Sequence, residues 1–141
     1  MSAMSPTATV HAATGPAHLT PAQTVEQSGF SLDTLRYYER IGLLGTVERS
    51  HTGHRRFTQH DLDWLLVLRC LRDTGMPIAE MLRFAELVRS GEGTFAARLT
   101  VLEQHDAQVE AQIAHLRQQQ ELIHHKIDFY RSALAEGPGA D

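Results

Sequence analysis

An unbroken heptad pattern in the last third of the chain restricts the fold more than any other feature. From Thr94 to Leu134 there is no proline or glycine, and apolar residues recur at alternating spacings of three and four. This spacing predicts one α-helix of about 60 Å with a single apolar seam. The seam residues are Leu99, Leu102, Val109, Ile113, Leu116, Ile123, Ile127 and Tyr130. Because 141 residues cannot bury such a seam within one chain, we expect a homodimer with a coiled-coil dimerisation helix.

Two polar residues, Asp106 and Gln120, interrupt the seam. A polar side chain at such a position lowers stability but penalises slipped registers of the two helices. The pattern leaves open whether the helices run parallel or antiparallel.

A short helix with both of its end signals is predicted between Ser31 and Leu44. Ser31 suits the N-cap, and Gly42 suits a left-handed exit from the helix. Asp33 lies in the first turn, where we prefer stabilisation by the helix dipole to a contact with a cytosine amino group. The helix carries donors suited to phosphate oxygens at Arg36, Tyr37, Tyr38 and Arg40.

The flanking segments predict a winged helix-turn-helix. Thr20, Pro21 and Gln23 form a capping box that opens a first helix, and Ser28 to Phe30 form the turn. After the second helix, residues 46–49 and 55–57 are predicted as two short strands around a turn at residues 50–53. This hairpin, the wing, carries its polar donors at His54, Arg55 and Arg56.

The fold class is therefore mainly α, a winged helix-turn-helix followed by the long dimerisation helix. Thr58 and Asp61 form a second capping box, and the helix that it opens is expected to bury Leu62, Leu65, Leu66 and the region from Leu68 to Leu71. Pro77 is expected to open a connector helix. The predicted segments are a disordered tail (1–18), the DNA-binding domain (19–76), the connector (77–93), the dimerisation helix (94–134) and a flexible end (135–141).

Charge is distributed unevenly along the chain. The net charge is -4, which argues against a protein that simply coats nucleic acid. Between Leu35 and Arg56, however, five arginines face two glutamates, so nucleic acid would meet this stretch.

Cys70 is the only cysteine, so an intrachain disulfide and a cysteine cage for a metal are excluded. The nine histidines lack a chelating arrangement, and we expect no metal and no cofactor. There is no nucleophile with an adjacent base and no glycine-rich phosphate loop, so an enzyme is not expected. Without a signal peptide or an apolar run of spanning length, we expect a cytoplasmic protein that does not bind membranes.

The run from Leu35 to Glu39, Leu-Arg-Tyr-Tyr-Glu, followed by Gly42-Leu43-Leu44, resembles the signature of the MerR family of bacterial transcription regulators. The resemblance extends from Leu19 to Leu134. It departs from the family pattern at His54, where tyrosine is usual, and after Leu44, where the usual proline is missing.

The resemblance implies specific partners and contacts. Arg36 and Tyr38 match DNA-contacting positions of the family, Arg55 matches its wing arginine, and Arg72 matches a basic residue that contacts the DNA backbone. It further implies antiparallel pairing of the long helices and a promoter operator in an overlong spacer. The regulator would bend and untwist this double-stranded DNA for RNA polymerase.

Cys70 has two interpretations. Cysteine is often buried as a small apolar residue, but Arg69 and Arg72 offer cations that favour a thiolate where the side chain is accessible. The passage also resembles the thiol-dependent branch of the family that responds to aldehydes, other electrophiles or nitrosative stress. The alternative is a regulator that responds to a noncovalent organic ligand, with Cys70 only structural.

Overall fold

The computed structural model describes residues 18–45 and 47–137, and its elements match a winged helix-turn-helix followed by one long helix. The predicted tail up to residue 17, Thr46 and residues 138–141 lie outside the described residues. The helices are α1 (Pro21–Ser28), α2 (Leu32–Ile41), α3 (Gln59–Asp73), α4 (Ile78–Arg89) and α5 (Phe95–Ala135), and the strands are β1 (Glu48–Arg49) and β2 (Arg55–Arg56).

The helix-turn-helix begins and ends where the sequence predicts. The Thr20 hydroxyl accepts from the Gln23 amide at 3.1 Å, which closes the predicted capping box of α1. Ser31 caps α2 by accepting from the Thr34 amide at 3.1 Å. Gly42 ends α2 with φ of 90°, a conformation that favours glycine because it lacks a Cβ atom.

The wing is an antiparallel hairpin in which Glu48 pairs with Arg56 and Arg49 pairs with Arg55. Its strands have two residues each, so they are shorter than predicted. Phe57 instead pairs with Leu19, whose amide and carbonyl meet those of Phe57 at 2.7 and 3.0 Å. The residues just before α1 thus lie beside the end of the wing.

Helix α3 supplies much of the core of the DNA-binding unit. Its buried residues are Leu62, Leu65, Leu68 and Leu71, which recur every three residues on one side of the helix. The expectation that Leu66 is buried is wrong. Leu66 is 46% exposed because its position lies outside this stripe.

A short turn joins α4 to the long helix. Pro77 is the N-cap of α4 rather than its first helical residue, and Glu92–Thr94 form one 3₁₀ turn. The Arg98 guanidinium donates to the carbonyls of Val88 and Gly91 at 3.2 and 2.8 Å. Arg98 therefore adds a side-chain donor to one carbonyl at the end of α4 and to one in the turn that follows it.

Helix α5 runs for 41 residues, and most of its predicted seam is exposed in the single chain. Val109 is half-buried, while the other seven seam residues are exposed. The helix from Leu99 onward forms a unit separate from the residues up to Arg98. None of the helices in the described part of the chain is long and apolar enough to cross a membrane.

Candidate nucleic-acid interface

The exposed face of α2 presents cationic and hydroxyl donors. The Arg36 side chain is 51% exposed and lies 3.6 Å from the Asp33 carboxylate. Tyr37 is exposed, and the Arg40 guanidinium lies 5.2 Å from the centre of its ring. This face offers donors of the kind that contact phosphate oxygens and base edges.

Tyr38, predicted to contact DNA, is instead a core residue. It is only 3% exposed, and its ring meets the Phe30 ring edge-on with 5.2 Å between centroids. Burial raises the pKa of Tyr38 above its ordinary value of 10.0, although a hydrogen bond from Arg72 opposes part of this rise. Its position after Tyr37 turns the ring away from the exposed face, since successive helical residues point about 100° apart.

Arg72 belongs to a cluster at the end of α3. Its guanidinium lies 4.8 Å from the centre of the Phe30 ring and 3.2 Å from the Asp73 carboxylate. Arg69 pairs with Asp73 at 2.7 Å and also donates to the Ser28 carbonyl at 3.1 Å. Hydrogen bonds from the two arginines lower the pKa of Asp73. The cluster thereby ties α3 to the turn of the helix-turn-helix.

A carboxylate clamp connects α2 to the wing. One oxygen of Glu39 accepts from Arg55 Nε at 3.0 Å, and the other accepts from the Val47 amide at 3.2 Å. Both charged side chains are largely covered, with 21% of Arg55 and 18% of Glu39 exposed. Arg55, predicted as an exposed wing contact, thus holds the wing against α2.

Arg56, also half-buried, has a different partner and donates to His18 Nδ1 at 2.8 Å. His18 Nε2 lies 3.1 Å from a Glu48 oxygen. These contacts correct the predicted tail boundary, because His18 is held against the wing. At the turn, the His54 ring contacts the Thr52 hydroxyl at 3.0 Å.

The end of α2 is anchored by two residues that the sequence analysis did not single out. Trp64 Nε1 donates to the Leu43 carbonyl at 2.8 Å, and Arg89 donates to the Gly42 carbonyl at the same distance. Trp64 also stacks on Phe84 of α4. These contacts connect the end of α2 to α3 and α4.

Glu39 was also missed as a site residue, although the sequence held a signal for it. It lies near the end of α2, where the helix dipole disfavours an anion. A glutamate at such a position calls for a cationic or N–H partner, but the partner's identity depends on the folded wing.

Cys70 is exposed in the single chain, so the interpretation as a buried thiol is wrong for this state. Its neighbours Arg69 and Arg72 are both bonded to Asp73. Among the described residues, no group of three or more histidine, cysteine or acidic side chains is arranged to hold a metal ion.

Two capped helices, an exposed donor face and an adjacent hairpin define a winged helix-turn-helix of the DNA-binding class. Comparison with known proteins gives the family. The model described as MerR HTH family regulatory protein matches residues 19–86, and the one described as MerR, DNA binding matches residues 62–125. The chain belongs to the MerR family and is a DNA-binding transcriptional regulator, not an enzyme.

Several relatives resemble the chain over most of its length. An HTH-type transcriptional regulator of Haemophilus influenzae is 42% identical over 118 residues, which cover 84% of this chain and 87% of the relative. The crystal structure of HiNmlR, a MerR family regulator lacking the sensor domain and bound to promoter DNA, is 41% identical with a TM-score of 0.76 and covers 86% of this chain and 96% of its own. The crystal structure of a MerR family regulator from Listeria monocytogenes is 35% identical with a TM-score of 0.77. The match covers 84% of this chain and 89% of that one. AdhR of Bacillus subtilis is 36% identical over 81 residues, 57% of this chain and 58% of the relative.

We predict that Glu39→Gln lowers the free energy of unfolding by about 1.5 to 3 kcal/mol, because it leaves the largely buried Arg55 without its charged acceptor. Urea unfolding at fixed protein concentration measures the change. Asp33→Asn is the matched control, since it removes an exposed ion pair of the same helix. An equal loss of stability in both variants would contradict the clamp.

Proposed function

We propose that the protein binds a pseudo-palindromic promoter operator as a homodimer in the cytoplasm and regulates transcription by distorting the DNA for RNA polymerase. The observation that carries this proposal is the exposed donor face of α2 beside the wing. The promoter-bound state of the similar HiNmlR chain supports it.

The proposed contacts divide into those that touch DNA and those that position them. Arg36, Tyr37 and Arg56 have exposed or half-exposed side chains and are proposed to contact phosphates or base edges. His54 and Arg72 are proposed at the two edges of this surface. Arg55 and Tyr38 support it from within, through Glu39 and Phe30 respectively.

The exposed seam of α5 supports pairing of two copies. In water, seven exposed apolar or aromatic side chains in one register favour association with a matching helix. A parallel pair would set the two Asp106 carboxylates opposite each other, since identical heptad positions meet in parallel coiled coils. Repulsion between like charges therefore supports antiparallel pairing.

In such a dimer, the exposed donor faces of the two α2 helices would bind two half-sites of one duplex. Phosphate contacts give affinity and register, while the spacing between the two units decides how far the duplex must bend or untwist. Distortion of the spacer would then bring the polymerase-recognition elements into phase.

Cys70 is the proposed switch, since an accessible thiol is what an electrophile or an oxidant needs. Arg69 and Arg72, the two arginines near Cys70, are both paired with Asp73 rather than with the thiol. This pairing supports the second candidate, a noncovalent organic ligand with Cys70 unreactive. The two candidates differ in their dependence on the thiol.

We expect Arg36→Ala to weaken operator binding by about tenfold, because a hydrogen bond to a charged phosphate is lost. The slope of log affinity against log salt should fall by about one. Fluorescence anisotropy on a duplex selected by the protein from a random library measures both quantities. Arg117→Ala, which removes an exposed arginine of α5, should change neither.

The seam predicts that Ile113→Asp converts the protein to a monomer, because it places a charge in the centre of the apolar interface. Light scattering after size-exclusion chromatography gives the mass. Gln108→Asp introduces the same charge outside the seam and should leave a dimer. A wild-type monomer at micromolar concentration would refute the proposed assembly.

If Cys70 is the switch, Cys70→Ser should keep operator affinity but abolish the transcriptional response to formaldehyde, a disulfide oxidant or a nitrosating agent. In vitro transcription with each agent measures the response. Leu66→Ser alters the surface one turn away but keeps the thiol, so it should still respond. A normal response of Cys70→Ser would favour the noncovalent ligand.

A further inference from the structure

His18 forms a bridge between two oppositely charged residues of the wing. Its Nδ1 lies 2.8 Å from an Arg56 guanidinium nitrogen, and its Nε2 lies 3.1 Å from a Glu48 carboxylate oxygen. His18 is 38 residues from Arg56 and 30 from Glu48 in the sequence, so only the folded chain brings the three together.

Backbone pairing holds this bridge in place. Leu19, the next residue, exchanges two hydrogen bonds with Phe57, at 2.7 and 3.0 Å. Arg56 precedes Phe57 and is the cross-strand partner of Glu48. The three bridging residues therefore lie on adjacent stretches of paired backbone, which limits their freedom before any partner binds.

The two partners determine which ring nitrogen of His18 donates and which accepts. A guanidinium only donates hydrogen bonds, so Nδ1 accepts from Arg56, whereas a carboxylate only accepts, so Nε2 donates to Glu48. Glu48 on β1 and Arg56 on β2 are the charged groups that contact the ring.

We propose that His18 is a positioning residue that holds the Arg56 guanidinium in its phosphate-binding orientation. The inference rests on the proposed binding of DNA. The bridge occupies one of the five N–H groups of Arg56 and leaves four for phosphate oxygens. Glu48 fixes the orientation of the imidazole in turn. A flexible arginine that is ordered in advance loses less conformational freedom when it meets DNA.

Operator binding by full-length variants at pH 7.5 tests the inference. Arg56→Ala should weaken binding and reduce the salt slope by about one. His18→Ala should weaken binding by about two- to tenfold with the slope unchanged, because the cation remains but is no longer oriented. His18→Asn should restore affinity, since its Oδ1 replaces Nδ1 as acceptor, whereas His18→Gln should not.

The outcomes separate this inference from the proposed function. If Arg56→Ala weakens binding but His18→Ala does not, His18 has no positioning role and the DNA surface remains. If neither Arg36→Ala nor Arg56→Ala affects binding, the proposed DNA surface itself is wrong. If His18→Gln binds as tightly as His18→Asn, the acceptor at the Nδ1 position is not what matters, which also overturns the inference. If His18→Ala loses its helical circular dichroism, the comparison of His18→Asn with His18→Gln decides.

Discussion

The position of the wing relative to α2 depends on the hydrogen bonds of the Glu39 carboxylate. One carboxylate oxygen accepts from Arg55, the first residue of β2, and the other accepts from the amide of Val47, which directly precedes β1. One side chain of α2 thus bonds to both arms of the hairpin. Two-residue strands have few ladder hydrogen bonds of their own, and an isolated hairpin is marginal in water. The clamp therefore gives the wing a defined position relative to α2.

A division of labour follows between neighbouring residues. Tyr37 is exposed whereas Tyr38 is buried, and Arg56 bonds to the exposed His18 whereas Arg55 bonds to the largely covered Glu39. On a helix the rotation between successive residues produces this division, and on a strand the alternation of faces produces it. Beside the exposed Tyr37 and the half-buried Arg56, Tyr38 and Arg55 are therefore held by Phe30 and Glu39 respectively.

The fold itself was largely predictable from short-range signals. The Thr20, Ser31 and Thr58 caps and the Gly42 exit lie where the sequence placed them, because each depends on residues within four positions. The roles of individual site residues were less predictable. Tyr38 and Arg55 looked like exposed donors, and His18 looked like part of a tail, because their partners lie elsewhere in the chain.

The sequence alone determined that this chain forms capped helices, a basic recognition segment and a long helix with an apolar seam, since local hydrogen bonding and periodicity decide such features. Only the tertiary structure decided which arginines remain available. Arg55 is bonded to Glu39 across 16 residues, whereas Arg56 is bonded to His18 across 38. Such pairings depend on which backbone segments the fold places side by side. A local pattern of residues cannot predict a contact between residues so far apart in the sequence.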